Sequence, residues 1–132
     1  MAAAEKAVLV DTSVLIYLLR GKSEHQKLIR DLLLGGFVLT TSAVNIAELY
    51  AGMRQREEQA TAELLSAFTQ LPLTPGIAQR AGETTAARRR MGRTHTLDDM
   101  MIAATAIEYG YALVTDNQKD LQIPGLALLP LP

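Results

Sequence analysis

Apolar residues run through this chain in two rhythms. Short unbroken stretches such as Ala7-Val8-Leu9-Val10 and Ala112-Leu113-Val114 stop abruptly at polar residues, while elsewhere apolar side chains recur every three or four positions. The first rhythm marks strands buried on both faces, the second helices with one buried stripe. Strands are therefore expected at 7–10, 37–41 and 112–115. A short strand is expected at 71–73, limited by the missing donor of Pro72, and an edge strand at 126–129 after Pro124-Gly125. Helices are expected at 14–20 and 24–34, broken by Gly21 and by Gly35-Gly36. Further helices are expected after Ser42, over 54–69, from 76 toward 90 behind Pro75, and from a Thr96 cap to Tyr109 with Gly110 just past its end.

Strands alternating with helices at this spacing predict an α/β fold of three layers, α/β/α, around a central, mostly parallel sheet of about five strands. The chain has 132 residues, 48% of them hydrophobic, which suits a single domain spanning residues 1–132 with one core. In such sheets the carboxyl ends of the strands share one edge, where a ligand can reach the residues that follow them. Asp11 and Asp116 each follow an apolar run, and Glu48 and Asp99 belong to the opening turns of helices that face the same edge. Carboxylates gathered there repel one another unless a cation neutralises them. Oxygen donors of this kind suit Mg²⁺, with Mn²⁺ as a possible substitute. A hard ion could polarise a phosphoryl oxygen, acidify a bound water and stabilise a leaving oxygen, which together describe phosphodiester hydrolysis.

Composition narrows the alternatives. Cysteine is absent, which excludes disulfides, thiolate zinc sites and cysteine nucleophiles and agrees with a reducing, cytoplasmic setting. The first six residues are too weakly apolar for a signal peptide, and no apolar run reaches the ~20 residues needed to span a bilayer, so no membrane partner is expected. Net charge is −1, yet Arg80, Arg88, Arg89, Arg90 and Arg93 fall in a stretch whose only acid is Glu83. That stretch is either a phosphate-binding stripe, with Arg88, Arg89, Arg90 and Arg93 contacting RNA, or a solvated helix face. Aromatic residues are only 5% and tryptophan is absent, so base-stacking platforms are not indicated.

Each acid also has a plain structural reading. Asp11 could be only a helix cap, Glu48 a surface acid, and Thr96-Leu97-Asp98-Asp99 a capping sequence that complements the helix dipole. Their joint placement argues otherwise. Ser13 could hydrogen-bond a carboxylate or merely cap, and Asn45 lies one helical turn before Glu48 and shares its face. Thr12 and Thr115 read as structural, His95 as a loop residue, and His25 carries no signal. A phosphoacceptor receiver would need an aspartate after its third strand, where Leu71-Pro72-Leu73-Thr74 has none. A haloacid-dehalogenase-like phosphatase would need Asp-x-Asp where this chain has Asp11-Thr12-Ser13.

Four segments in order resemble the motifs of PIN-domain ribonucleases, and among them the VapC toxins of toxin–antitoxin pairs. They are Leu9-Val10-Asp11-Thr12-Ser13, Asn45-Ile46-Ala47-Glu48-Leu49, Asp99-Met100-Met101-Ile102-Ala103-Ala104 and Leu113-Val114-Thr115-Asp116-Asn117. The resemblance implies a metal-dependent endoribonuclease in which Asp11, Glu48, Asp99 and Asp116 hold one or two Mg²⁺ ions and water attacks in line, leaving a 5′-phosphate and a 3′-hydroxyl. It favours Asp99 over Asp98 as the ligand, leaving Asp98 in support. At the fourth motif many relatives carry the acid one residue later, where this chain has Asn117, so either Asp116 supplies the carboxylate or the fourth ligand is weaker. The resemblance also implies a homodimer and a VapB-type antitoxin, for which the apolar helical stretches 24–34 and 60–69 are candidate contact surfaces. The rival reading is a PIN-like module without nuclease activity, acting through antitoxin binding and promoter autoregulation.

Overall fold

The computed structural model describes residues 6–129; the two ends of the expected 1–132 domain, residues 1–5 and 130–132, lie outside the described residues. In chain order the elements are β1 (Ala7–Val10), α1 (Thr12–Leu19), α2 (Ser23–Leu34), β2 (Val38–Ser42), α3 (Ala43–Gly52) and α4 (Glu58–Ser66). They continue with β3 (Thr69–Leu71), α5 (Pro75–Arg90), α6 (Leu97–Tyr109), β4 (Ala112–Val114) and a 3₁₀ turn at Lys119–Leu121. The strands lie in the order β3-β2-β1-β4, and every pair is parallel. β1 is therefore central, which is why its four residues read as an unbroken apolar run.

Alternation along β1 separates the two sides of the core. Leu9 joins Leu113 with Ile77 and Ala81 of α5 and Ile102, Ala103 and Ala106 of α6 on one face. Val8 and Val10 join Val114 with Val14 and Leu15 of α1, Leu32 of α2 and Leu65 of α4 on the other. This gives the three layers predicted from the sequence. Caps fix the helix starts: Ser42 accepts from the Asn45 N–H, Thr74 from Ile77 and Thr96 from Asp99. At Gly21, with φ of 70°, the chain reverses between α1 and α2 in a conformation that disfavours a β-carbon, and this swings the start of α2 back toward the sheet edge.

Three expectations are corrected. Among the described residues the sheet has four strands rather than about five, because the stretch 126–129 makes one parallel bridge, Leu113 to Leu128. The Leu129 carbonyl, free to continue that ladder, instead accepts from the Gln118 side chain at 2.7 Å. The long helix expected over 54–69 contracts to α4, since Met53 is extended (ψ 149°) and Arg56 takes a left-handed φ of 72°. β3 lies two residues earlier than expected and ends before Pro72, which could not have donated to the ladder. Among the described residues, no helix is long and apolar enough to cross a membrane.

Candidate active site

The site is built at the carboxyl edge of the central strands. Asp11 follows β1, and its backbone N–H donates to the Val114 carbonyl at 2.9 Å, carrying the β1–β4 ladder one residue further. Its side chain is only 8% exposed. Oδ1 accepts from the Thr12 N–H at 2.9 Å and from Asn45 Nδ2 at 3.0 Å, and Oδ2 accepts from the Thr115 hydroxyl at 2.7 Å. Three donors from three elements thus hold one carboxylate, and each remaining lone pair is aimed by that grip.

Asn45 links this carboxylate to the next. It is fully buried, and its Oδ1 accepts from the Ser42 N–H at 3.2 Å and the Ser42 hydroxyl at 2.6 Å. Its Nδ2 donates to Asp11 Oδ1 and to Thr12 Oγ1, both at 3.0 Å. A backbone N–H can only donate and an ionised carboxylate can only accept, so the amide has one workable orientation. The Thr12 hydroxyl, having accepted from Asn45, donates its own hydrogen bond to Glu48 Oε1 at 2.6 Å. The capping box at the start of α3 is therefore also the spine of the acidic cluster.

The electrostatics follow from burial. Glu48 is pushed up to about 7, first by burial and then by a hydrogen bond shared with Asp98; the charges of Asp98 and Asp11 add to this, and the Thr12 hydroxyl opposes it. Asp98 is held below the usual carboxylate range by the same Glu48 contact and by Thr96. One proton shared between the two carboxyls, resting on Glu48, accounts for both directions. Asp99 is raised, mainly by burial, with Asp98 and Asp11 adding repulsion and Thr96 and His95 opposing it.

Asp116 stands apart. It is exposed, and its carboxylate lies 3.1 and 3.3 Å from Nε2 of His25, whose ring packs on Tyr17 with centroids 4.6 Å apart. Its N–H reaches the Ser13 hydroxyl at 3.4 Å. Asn117 meets the site through its backbone, donating to Thr115 Oγ1 at 3.0 Å. Arg89, Arg90 and Arg93 are exposed, but Arg88 turns inward on the stripe of Ile77, Ala81 and Thr85, with Nη2 3.4 Å from the Gln122 carbonyl. Of the four arginines expected to contact RNA, three therefore face outward and one is buried.

Sequence reasoning missed three contributors. Thr12 and Thr115 read as structural hydroxyls, although their positions beside Asp11 and Asp116 were the available signal. His25 had none, because its approach depends on the reversal at Gly21. Among the described residues no three acidic or histidine side chains enclose a single point. Yet Glu48 and Asp99 are both raised, first by burial, and the charges of Asp98 and Asp11 add to the rise in each. Hard oxygen donors carrying excess negative charge fit a divalent cation.

The PIN domain family model matches residues 8–124. Ribonuclease VapC10 of Mycobacterium tuberculosis is 38% identical over 110 residues, which cover 83% of this chain and 82% of that protein. VapBC-1 from nontypeable Haemophilus influenzae superposes with a TM-score of 0.78 at 25% identity, covering 93% of this chain and 96% of that one. VapBC2 from Rickettsia felis, bound to a DNA fragment from its promoter, superposes with a TM-score of 0.81 at 22% identity, covering 93% and 97%. With its fold, its buried aspartate after the central strand and its sequence all in agreement, the chain belongs to the PIN-domain family, in the company of the VapC proteins.

Proposed function

We propose that this protein is a divalent-metal-dependent endoribonuclease and the toxin of a VapBC-type pair. The observation that carries this reading is the carboxylate cluster around Asp11, held by buried donors and left with uncompensated negative charge. Mg²⁺, with Mn²⁺ as substitute, would be held by Asp11, Glu48 and Asp99, with Asp116 as the outer fourth ligand. When bound, the ion supplies Lewis-acid polarisation of a phosphoryl oxygen and a lowered pKa for water.

The chain's own residues do the rest. Thr115, Asn45 and the Thr12 N–H hold the Asp11 carboxylate in one orientation, so that the cluster needs little reorganisation when a phosphodiester arrives. Thr12 and Asp98 position Glu48 from two sides, and Asp98 draws its proton. Near neutral pH Glu48 can hold or release that proton. The names of VapBC-1 and VapBC2 support a VapB-type antitoxin as partner, and the absence of cysteine agrees with action in the cytoplasm. Leu33 and Leu34, exposed at the end of α2, fit an antitoxin or homodimer contact.

The test is cleavage of total cellular RNA by antitoxin-free protein with Mg²⁺, with EDTA, and with Asp11→Asn. Discrete fragments from wild type with metal alone are expected, with ends mapping to 5′-phosphate and 3′-hydroxyl. Folded protein that cuts nothing under any condition would favour the binding-only module.

A further inference from the structure

Beyond the acidic cluster, the segment joining α5 to α6 and the 3₁₀ turn at Lys119–Leu121 shape a cleft of about 280 Å³. Arg88, Arg93, His95 and Lys119 line it together with Asp120 and Gln122. Three fixed cations face one carboxylate, on a chain whose net charge is −1. Arg88 is the unusual member. It is 7% exposed, Nε has no partner among the described residues, and the 3.4 Å approach of Nη2 to the Gln122 carbonyl is long for a hydrogen bond.

A guanidinium has five donors, and burying it without acceptors costs free energy that a leucine at this place on the α5 stripe would not. Its position in the last turn of α5 complements the helix dipole, as do Arg89 and Arg90, but those two achieve this while exposed. Complementing the dipole therefore does not require burial. Arg93 is brought back over the helix end by its N–H bond to the Arg88 carbonyl at 2.9 Å, through Gly92 at φ 75°. Lys119 comes from the 3₁₀ turn after β4. An oxyanion with several acceptor oxygens matches two guanidinium forks and an ammonium.

Location gives the ligand its class. His95, which lines the cleft, lies immediately before the Thr96 cap of the helix whose first turn carries Asp98 and Asp99. The cleft thus adjoins the acids without sharing their side chains. We propose that it is a subsite for one backbone phosphate of single-stranded RNA flanking the bond to be cut, clamped by Arg88 and Arg93 and countered by Lys119. This rests on the ribonuclease reading and moves the RNA contact from the outward arginines, Arg89 and Arg90, into the cleft.

The test uses the full-length protein with Arg93→Gln/Lys119→Gln, both exposed and so safe for folding, against a charge-matched distal control, Arg20→Gln/Arg30→Gln. Arg88→Lys keeps the charge and removes the fork. Affinity for a fluorescent single-stranded RNA is measured in EDTA across a salt series, and cleavage kinetics with Mg²⁺. The cleft pair should weaken binding about tenfold and make the slope of log affinity against log salt shallower by about 0.7, the value for one phosphate contact on a single strand. KM should rise with kcat retained, and Arg88→Lys should follow in part. Inorganic phosphate should compete with RNA on wild type and not on the cleft pair.

Equal losses for cleft and distal pairs, with wild-type cleavage intact, would overturn the subsite and leave the nuclease standing. Phosphate binding that leaves RNA affinity untouched would overturn it too, marking a free-anion site. Cleft-dependent RNA binding by a protein that cuts no RNA would uphold the subsite and refute the nuclease.

Discussion

Asp11 and Asp116 both follow strands of the same sheet, one residue after β1 and two after β4, yet the chain treats them oppositely. Asp11 is buried and takes three hydrogen bonds from Thr12, Asn45 and Thr115, while Asp116 is exposed and turned to a histidine from another helix. The residue between Val114 and Asp116 makes the difference: Thr115 is fully buried and spends its hydroxyl on Asp11. With Thr115 anchored inward, the chain bends at Asp116 and leaves that side chain on the outside. One position is built as fixed machinery and the other as an adjustable margin.

The largest effect should come from the fixed side. Asp11→Asn should lower RNA cleavage on the order of 10³-fold with little change in melting temperature, because Thr115 can rotate its hydroxyl to accept from the new amide; initial rates beside thermal melts test this. Asn45→Ala should act on both fold and rate. It removes the partner of the Ser42 N–H and of Asp11 Oδ1, costing about 2–3 kcal/mol by denaturant titration and about 10- to 100-fold in cleavage.

Third comes a pH effect at Glu48. With its pKa at about 7 against an ordinary 4.5, the metal-free folded protein binds more protons than the unfolded chain between those values, so stability falls as pH rises through that window. Glu48→Gln should remove that fall and add on the order of 1–2 kcal/mol at pH 8, a figure reduced for solvent screening, with no gain below pH 4. Urea titrations in EDTA at pH 4 and pH 8 read it directly. The smallest effects should come from the adjustable side: Asp116→Asn and His25→Ala should each change stability by less than about 0.5 kcal/mol and cleavage by less than about tenfold. A rate loss at Asp116 equal to that at Asp11 would erase the contrast between the two positions.

What the sequence disclosed follows the same division. The β1 run ending at Asp11 was plain because a central strand buried on both faces leaves no polar residue to blur its end, and Ser42 announced α3 because its cap is a local bond. Local signals failed where a residue's role is set by distant chain. His25 reaches Asp116 across 91 positions, and Gln118 takes the Leu129 carbonyl that a fifth strand would have used. Arg88 is an intermediate case. It stands on the Ile77, Ala81, Thr85 stripe at helical spacing, so its inward turn was written in the periodicity, but three consecutive arginines masked it.

The bond from Thr115 to Asp11 spans 104 positions and joins the first strand to the last. β4 cannot dock until the stretch between Asp11 and Thr115 has left the ribosome, and pairings of such long range form slowly. A growing chain therefore carries Asp11 without its Thr115 anchor for as long as the 104 positions between them take to emerge. Completion of the sheet and arming of the carboxylate are therefore one event, and until it happens the chain carries an aspartate whose geometry is not yet fixed.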